Sequence, residues 1–195
     1  MGKVIFNNSV SLDGFVAGPN DEVDEIFKWY WSGDVEVPFP GSEMVFKVSP
    51  ASAALFDKTW PTIGASVLGR RMFDVSHAWG GKPPLGVHTF VVTHRPPQEW
   101  VKEESPFTFV TDGVVSAVQQ AKQYAGAKDV VISSANIMQQ ALKAGLLDEI
   151  YMDLAPVLLG KGIRLFDRLT EPIELEPIHV IEGKGVTHLG FRVVR

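Results

Sequence analysis

The chain has no cysteine among its 195 residues. Disulfide scaffolds, thiol nucleophiles and thiolate metal sites are therefore excluded. No run of about 18 consecutive apolar residues occurs either, so a membrane-spanning helix is not expected. The opening MGKVIFNNSVSLDGF carries a lysine but no apolar stretch of secretory-signal length, which makes the cytoplasm the default expectation. Basic excess is missing as well: 18 Lys+Arg stand against 23 Asp+Glu, a net charge of -5. That balance argues against a general nucleic-acid binder, which needs a basic face, but leaves room for a local arginine pocket. The five histidines, His77, His88, His94, His179 and His188, show no HExxH or paired spacing, so no metal site is expected. Gly160-Lys161-Gly162 lacks the glycine spacing and the following hydroxyl residue of a P-loop, and reads as a turn.

What remains is a chain with 45% hydrophobic and 21% charged residues, long enough for one globular domain over residues 1–195. The pattern alternates strand and helix: a β-rich Lys3 to Asn8, a turn at Ser11-Leu12-Asp13-Gly14, and an amphipathic stretch from Asp24 to Trp31. Residues 33–49, with Pro38, Pro40, Gly33 and Gly41, read as an irregular loop, a lid or an interface element. Ser49-Pro50 signals a helix start carrying Ala53, Ala54 and Phe56 toward Trp60. Strands follow at Ala65 to Leu68, His88 to Thr93, Val130 to Ile132 and Glu149 to Val157. Asp112-Gly113 is expected to cap a helix, and Gly145 to end the helix of Ile137, Met138, Ala141 and Leu142. Two late runs separated by Glu182-Gly183-Lys184-Gly185 form a hairpin. The plan is α/β: a central, mostly parallel twisted sheet flanked by helices, with an antiparallel C-terminal hairpin.

Ligands in such sheets bind beyond the carboxyl ends of the strands, and three of those ends carry polar chemistry. Gly69-Arg70-Arg71 offers helix N-terminal amides and forked cations for a phosphate, or is a glycine turn with solvated arginines. Thr93-His94-Arg95 suits a second phosphate with a base against the guanidinium, or is a polar start to the Pro96-Pro97 loop. Ser133-Ser134-Ala135-Asn136 is a helix cap at Ser134 or Asn136, or a third edge of the same anion cradle.

In SLDGFVAGPNDEVDE, VLGRRMFD, FVVTHRPP and DVVISSANIMQQALKAGLLDEIYMDLAPVLLGKGIRLF the chain resembles the dihydrofolate reductase fold. It is more closely similar to the reductase family that includes the reductase domain of riboflavin biosynthesis. The resemblance implies NADPH laid across the strand ends and hydride transfer to a small heterocycle, pterin-like or pyrimidine-like. By position, Gly69, Arg70, Arg71 and Met72 would bind cofactor phosphates, and Thr93, His94 and Arg95 the 2′-phosphate side. Val16 and Ala17 would lie near the nicotinamide. Ser133, Ser134, Ala135, Asn136 and Ile137 would approach the pyrophosphate, with Ser133-Ser134 standing where the family commonly has Gly-Gly.

The resemblance also implies a buried carboxylate on the first helix that orients the substrate. Asp24 is the positional match, and Asp153 on a later strand is expected to face it, one of the two being neutral. Asp24, with Glu22 and Glu25 beside it, is equally consistent with an exposed acidic helix start. Trp29, Tyr30 and Trp31 are a flat wall for an aromatic substrate, a core cluster or a dimer contact. A homodimer is expected from the association of related domains. The alternative reading is a binding or regulatory protein that keeps the fold without turnover.

Overall fold

Val4, Phe6 and Val10 share a core with two helices on one side of strand β1 (Val4–Ser11), while Ile5, Asn7, Ser9 and Ser11 point to the other side. This two-sided burial makes β1 the centre of the sheet. In the computed structural model, which describes residues 2–167 and 169–194, the short β2 (Phe15–Ala17) follows a turn at Gly14. A single helical turn, α1 (Asp24–Phe27), and a 3-10 segment over Lys28–Trp31 lead into β3 (Val35–Pro38) and β4 (Val45–Val48). Helix α2 (Pro50–Thr59) delivers the chain to β5 (Ile63–Gly69), α3 (Arg70–Val75), β6 (His88–Val92) and β7 (Phe107–Val110). Then come α4 (Val114–Ala125), β8 (Asp129–Ile132), α5 (Ala135–Lys143) and β9 (Glu149–Ala155). The two-residue β10 (Ile163–Arg164) precedes a hairpin of β11 (Leu175–Gly183) and β12 (Val186–Val193).

Eight strands form one sheet in the order β11-β12-β9-β1-β8-β5-β6-β7. The pairs from β9 through β7 are parallel, and β12 and β11 join antiparallel at one edge. This is the expected α/β architecture. Helices α4 and α5 cover one face through Val118, Ala121, Met138 and Ala141. The other face carries three apolar patches, the smallest being Ile5, Ile63 and Val131 with Leu85, Val87 and Tyr151 packed against them. Near β12, Trp29, Phe46, Phe56 and Val186 pack together; near β6 and β7, Leu68, Phe73, Val91 and Phe107 do. Beside the smallest patch, Asn7 and Tyr151 are neighbours in register and only half-buried.

Several local expectations need correction. Residues 33–49 are an ordered hairpin, not an irregular loop: Val37 and Phe46 pair and turn inward, Pro38 closes β3 opposite Val45, and Pro40 and Gly41 lie in the tip. Its cluster with Trp29, which is 2% exposed, also makes Trp29 a core residue and no wall for a substrate, although Trp31 is exposed. Asp112 does not cap α4, whose N-cap is Gly113 at φ +101 with no side-chain bond. Ala54 is exposed, whereas Ser52, Ala53 and Phe56 form the buried face of α2. The Ser49 cap itself is present, its hydroxyl accepting from the Ser52 N–H at 3.2 Å.

Candidate active site

The C-terminal ends of β5, β8 and β6 bring the three polar segments to one edge. Gly69 ends β5 and is the N-cap of α3, and Ser134 is the N-cap of α5. Neither helix start has a side-chain cap of its own. The Ser134 hydroxyl instead reaches across, accepting from the Gly69 N–H at 3.0 Å and donating toward Met72 Sδ at 3.5 Å. Ser133 is held by its carbonyl, which accepts from Asn8 Nδ2 at 2.8 Å. A Cβ on Gly69 would meet Ile137 Cγ1 at 3.3 Å, so the two helix starts are packed as closely as glycine allows. Ala135 and Ile137 are buried, and Asn136 is exposed, accepting from Gln140 Nε2 at 2.7 Å.

The third segment joins through Arg70, whose Nη1 donates to the Arg95 carbonyl and whose Nε donates to Asp74 at 2.7 Å. Thr93 is buried and its hydroxyl accepts from the Arg95 N–H at 3.2 Å, which folds the loop so that His94 and Arg95 face outward. Arg71 is not free for a ligand: it grips Asp21 with Nε at 2.8 Å and Nη2 at 3.0 Å. That bidentate pair ties the start of α3 to the loop after β2.

Val16 and Ala17 are buried in β2, which pairs with β10. The Gly160-Lys161-Gly162 segment is a turn, as its spacing suggests, with Gly160 at φ +72 and Gly162 at φ +146. Asp13 anchors it. The carboxylate accepts from the Ser11 hydroxyl at 2.6 Å, the Gly160 N–H at 2.7 Å and the Leu159 N–H at 3.1 Å. The Ser11 hydroxyl and then these backbone donors hold the Asp13 pKa at about 2, from an ordinary 3.8, against an opposing desolvation. A depressed carboxylate contributes stability that is complete above its unfolded pKa and is lost as pH falls through the folded one. Thermal midpoints of Asp13→Asn should therefore lie below those of the unaltered chain above pH 3.8 and converge on them toward about 2. Parallel curves across that window would remove Asp13 as the acid-sensitive anchor.

The two proposed carboxylates behave differently from the sequence expectation. Asp24 is exposed at the head of α1, in a surface notch with Glu22, Glu25 and Lys161. Helix geometry explains this, since the buried position of that single turn is Ile26, and a residue two places away points to the opposite side. Asp153 is buried at 5% exposure, and its partner is not Asp24 but His188: Asp153 Oδ1 lies 2.6 Å from His188 Nδ1. Its Oδ2 lies 3.3 Å from Asn7 Nδ2. The other ring nitrogen, His188 Nε2, is 2.8 Å from the Ser52 hydroxyl, which in turn lies 2.9 Å from that of Ser49. Trp29 closes the cluster, packing edge-on to the His188 ring at 5.3 Å and donating to Ser9 Oγ at 3.0 Å. Burial and then the charge of Asp153 push the Tyr30 phenol up, with the Ser9 hydroxyl opposing, so Tyr30 is a neutral hydroxyl here. The sequence marks Ser49 only as a helix start and His188 only as one of five unpaired histidines, and gives no site role to Ser52, Ser9 or Asn7. One signal was available: His188 takes an inward position in β12 between Val186 and Gly190.

A family model for the RibD C-terminal domain matches residues 2–189. The chain belongs to the RibD C-terminal domain family. Among solved structures, a protein of Shewanella sp. PV-4 assigned to riboflavin biosynthesis superposes with a TM-score of 0.73 at 22% identity, covering 100% of both chains. RibD of Acinetobacter baumannii matches with a TM-score of 0.62 at 18% identity, this chain spanning 58% of its length. Dihydrofolate reductase from Enterococcus faecalis, solved with NADP(H), gives 0.56 at 17% identity over 100% of this chain and 98% of that one. In sequence, the uncharacterised protein YwjB of Bacillus subtilis is 23% identical over 173 residues, 89% of this chain and 87% of its own length. The RibD C-terminal fold seen here is thus a reductase-like fold shared with dihydrofolate reductase.

Proposed function

We propose that the chain is an NADPH-dependent reductase that adds hydride to a small heterocycle, pterin-like or pyrimidine-like. The observation that carries this reading is the junction of the three strand ends, where Gly69 bonds Ser134 and Arg70 bonds the Arg95 carbonyl. The donor set fits a dinucleotide phosphate: two adjacent helix starts without side-chain caps, an exposed Arg95 and an exposed His94. Residues 70, 72 and 93–95 with 133–137 would hold the phosphates, Arg71 being engaged by Asp21, and Val16 and Ala17 would back the nicotinamide. The cofactor, when bound, supplies a hydride. Asp153 and Asn7 would orient the substrate from the half-buried strip beside Tyr151.

The alternative, a binding protein without turnover, draws on one detail. The Ser134 hydroxyl occupies the Gly69 N–H that a cofactor phosphate would otherwise use. Titrating the intrinsic tryptophan fluorescence with NADPH and NADH separates the two readings, and absence of binding at millimolar concentration of either would remove the reductase. The same titration on Ser134→Gly should show binding tightened by roughly tenfold, about the value of one charge-assisted bond. Unchanged or weaker affinity would mean the hydroxyl is no obstacle.

A further inference from the structure

Asp153 is reached from behind by a line of buried polar atoms that runs through the sheet face to the start of α2. Its members are Asp153 Oδ1, His188 Nδ1, His188 Nε2, Ser52 Oγ and Ser49 Oγ, at successive separations of 2.6, 2.8 and 2.9 Å between residues. His188 and Ser52 are each 1% exposed, and Ser49 is half-exposed. Among the described residues no buried side-chain polar atom lacks a partner, so both ring nitrogens are committed. We propose that His188 is a positioning residue: its Nδ1–H fixes one oxygen of Asp153, so that the other, beside Asn7, is presented to the candidate substrate strip as a hydrogen-bond acceptor. The proposal rests on the reading of that strip as the substrate side of a reductase.

Two roles compete for such a line, and geometry decides between them. A relay would pass a proton from Ser52 to Nε2 as Nδ1 hands one to Asp153. Each passage leaves the ring in the opposite tautomer, and resetting it needs a ring flip. Here the ring is clamped on both nitrogens and packed against Trp29 at 5.3 Å and Phe56 at 6.4 Å between centroids. A ring so held orients a carboxylate better than it ferries protons. The assignment has the Ser49 hydroxyl donate to that of Ser52 and the Ser52 hydroxyl donate to Nε2, which leaves the ring proton on Nδ1, facing Asp153. Ser52 is kept in place by α2, where the Ser49 cap accepts its N–H at 3.2 Å. The titratable groups around this line are Asp153 on β9, Tyr30 from the 3-10 turn, which feels the charge of Asp153, and His179 on β11, whose imidazole is pushed down first by burial.

The test begins with nitrogen-detected NMR of the histidine side chains in the ligand-free full chain. The result expected is a single Nδ1–H tautomer for His188 with a downfield, slowly exchanging proton; an Nε2–H tautomer would overturn the proposal, because Asp153 would then be the donor. This readout is indifferent to whether the chain reduces anything, so its failure is distinct from failure of the reductase reading. The second arm uses 2,4-diaminopyrimidine as a probe of the carboxylate, binding being followed calorimetrically. His188→Leu removes the donor and should weaken the probe by about tenfold, whereas His188→Asn, whose amide can still donate to Asp153, should stay within about threefold of the original affinity. Both variants lose packing under Trp29, so a purely structural role predicts equal losses. Equal affinities for the Leu and Asn variants, or undiminished binding by the Leu variant, would sink the proposal.

Discussion

Asp153→Ala is expected to lower the unfolding free energy by about 3 kcal/mol while leaving NADPH affinity within about twofold. The deleted carboxylate is the acceptor for His188 Nδ1 at 2.6 Å, and the ring it leaves behind is 1% exposed. Water cannot replace the partner there, so the cost approaches that of breaking a buried charge-assisted bond rather than the small net value of an exchanged one. For a domain of this size, that loss corresponds to a midpoint lower by roughly 6–12 °C. Asp153→Asn should cost less, about 1 kcal/mol, because the amide oxygen still accepts from Nδ1 while its nitrogen meets the donor of Asn7. Cofactor affinity is expected to hold because the cofactor-side residues end β5, β6 and β8, whereas Asp153 lies on β9, bonded to His188 of β12. Denaturant titration at constant m-value, with NADPH fluorescence titration on the same samples, reads both quantities. A stability loss of under about 1 kcal/mol for the Ala variant would show that the buried line adds nothing to the fold.

How far the sequence announced this arrangement depends on the range of the interactions involved. Helix α5 was legible residue by residue, because Ile137, Met138, Ala141 and Leu142 recur at helical spacing and the structure buries all four. The Ser49-Pro50 start of α2 was equally local. The β3–β4 hairpin was hidden by its punctuation, since Pro38 at the end of β3 and Pro40 and Gly41 in the tip outweighed the alternation of Val35, Val37, Phe46 and Val48. Asp24 was misjudged as the partner of Asp153 because positional resemblance assigned the first acidic helix start to that role. The partner that faces Asp153 is His188 on β12, which enters much later in the chain, and α2 reaches that ring through Ser52. His188 stayed invisible for a physical reason: its bond to Asp153 spans 35 residues and exists only through the antiparallel register of β12 on β9. Periodicity places a residue on a face, and only register places it opposite a partner.

The register of the smaller sheet makes the last prediction. A methyl group at Gly162 should cost about 3 kcal/mol or more, combining backbone strain with a clash that the fold cannot absorb. An ideal Cβ there would lie 2.0 Å from the Ala17 carbonyl oxygen, and the residue sits at φ +146, which side chains rarely adopt. The next residue, Ile163, pairs with Ala17, so relief requires β10 to leave β2. Gly160→Ala is the matched control: φ is +72 but nothing lies within 4 Å, so only the left-handed penalty of about 1 kcal/mol remains. The Gly160 N–H, which donates to Asp13 at 2.7 Å, is kept in that control, so the anchor is undisturbed. If Val16 and Ala17 back a nicotinamide, Gly162→Ala should also weaken NADPH by tenfold or so, whereas Gly160→Ala should not. Loss of stability without loss of affinity would separate the β2–β10 ribbon from the cofactor, and equal losses in both variants would assign the effect to backbone conformation alone. The contrast rests on one carbonyl oxygen, which is why two glycines a residue apart should answer the same substitution so differently.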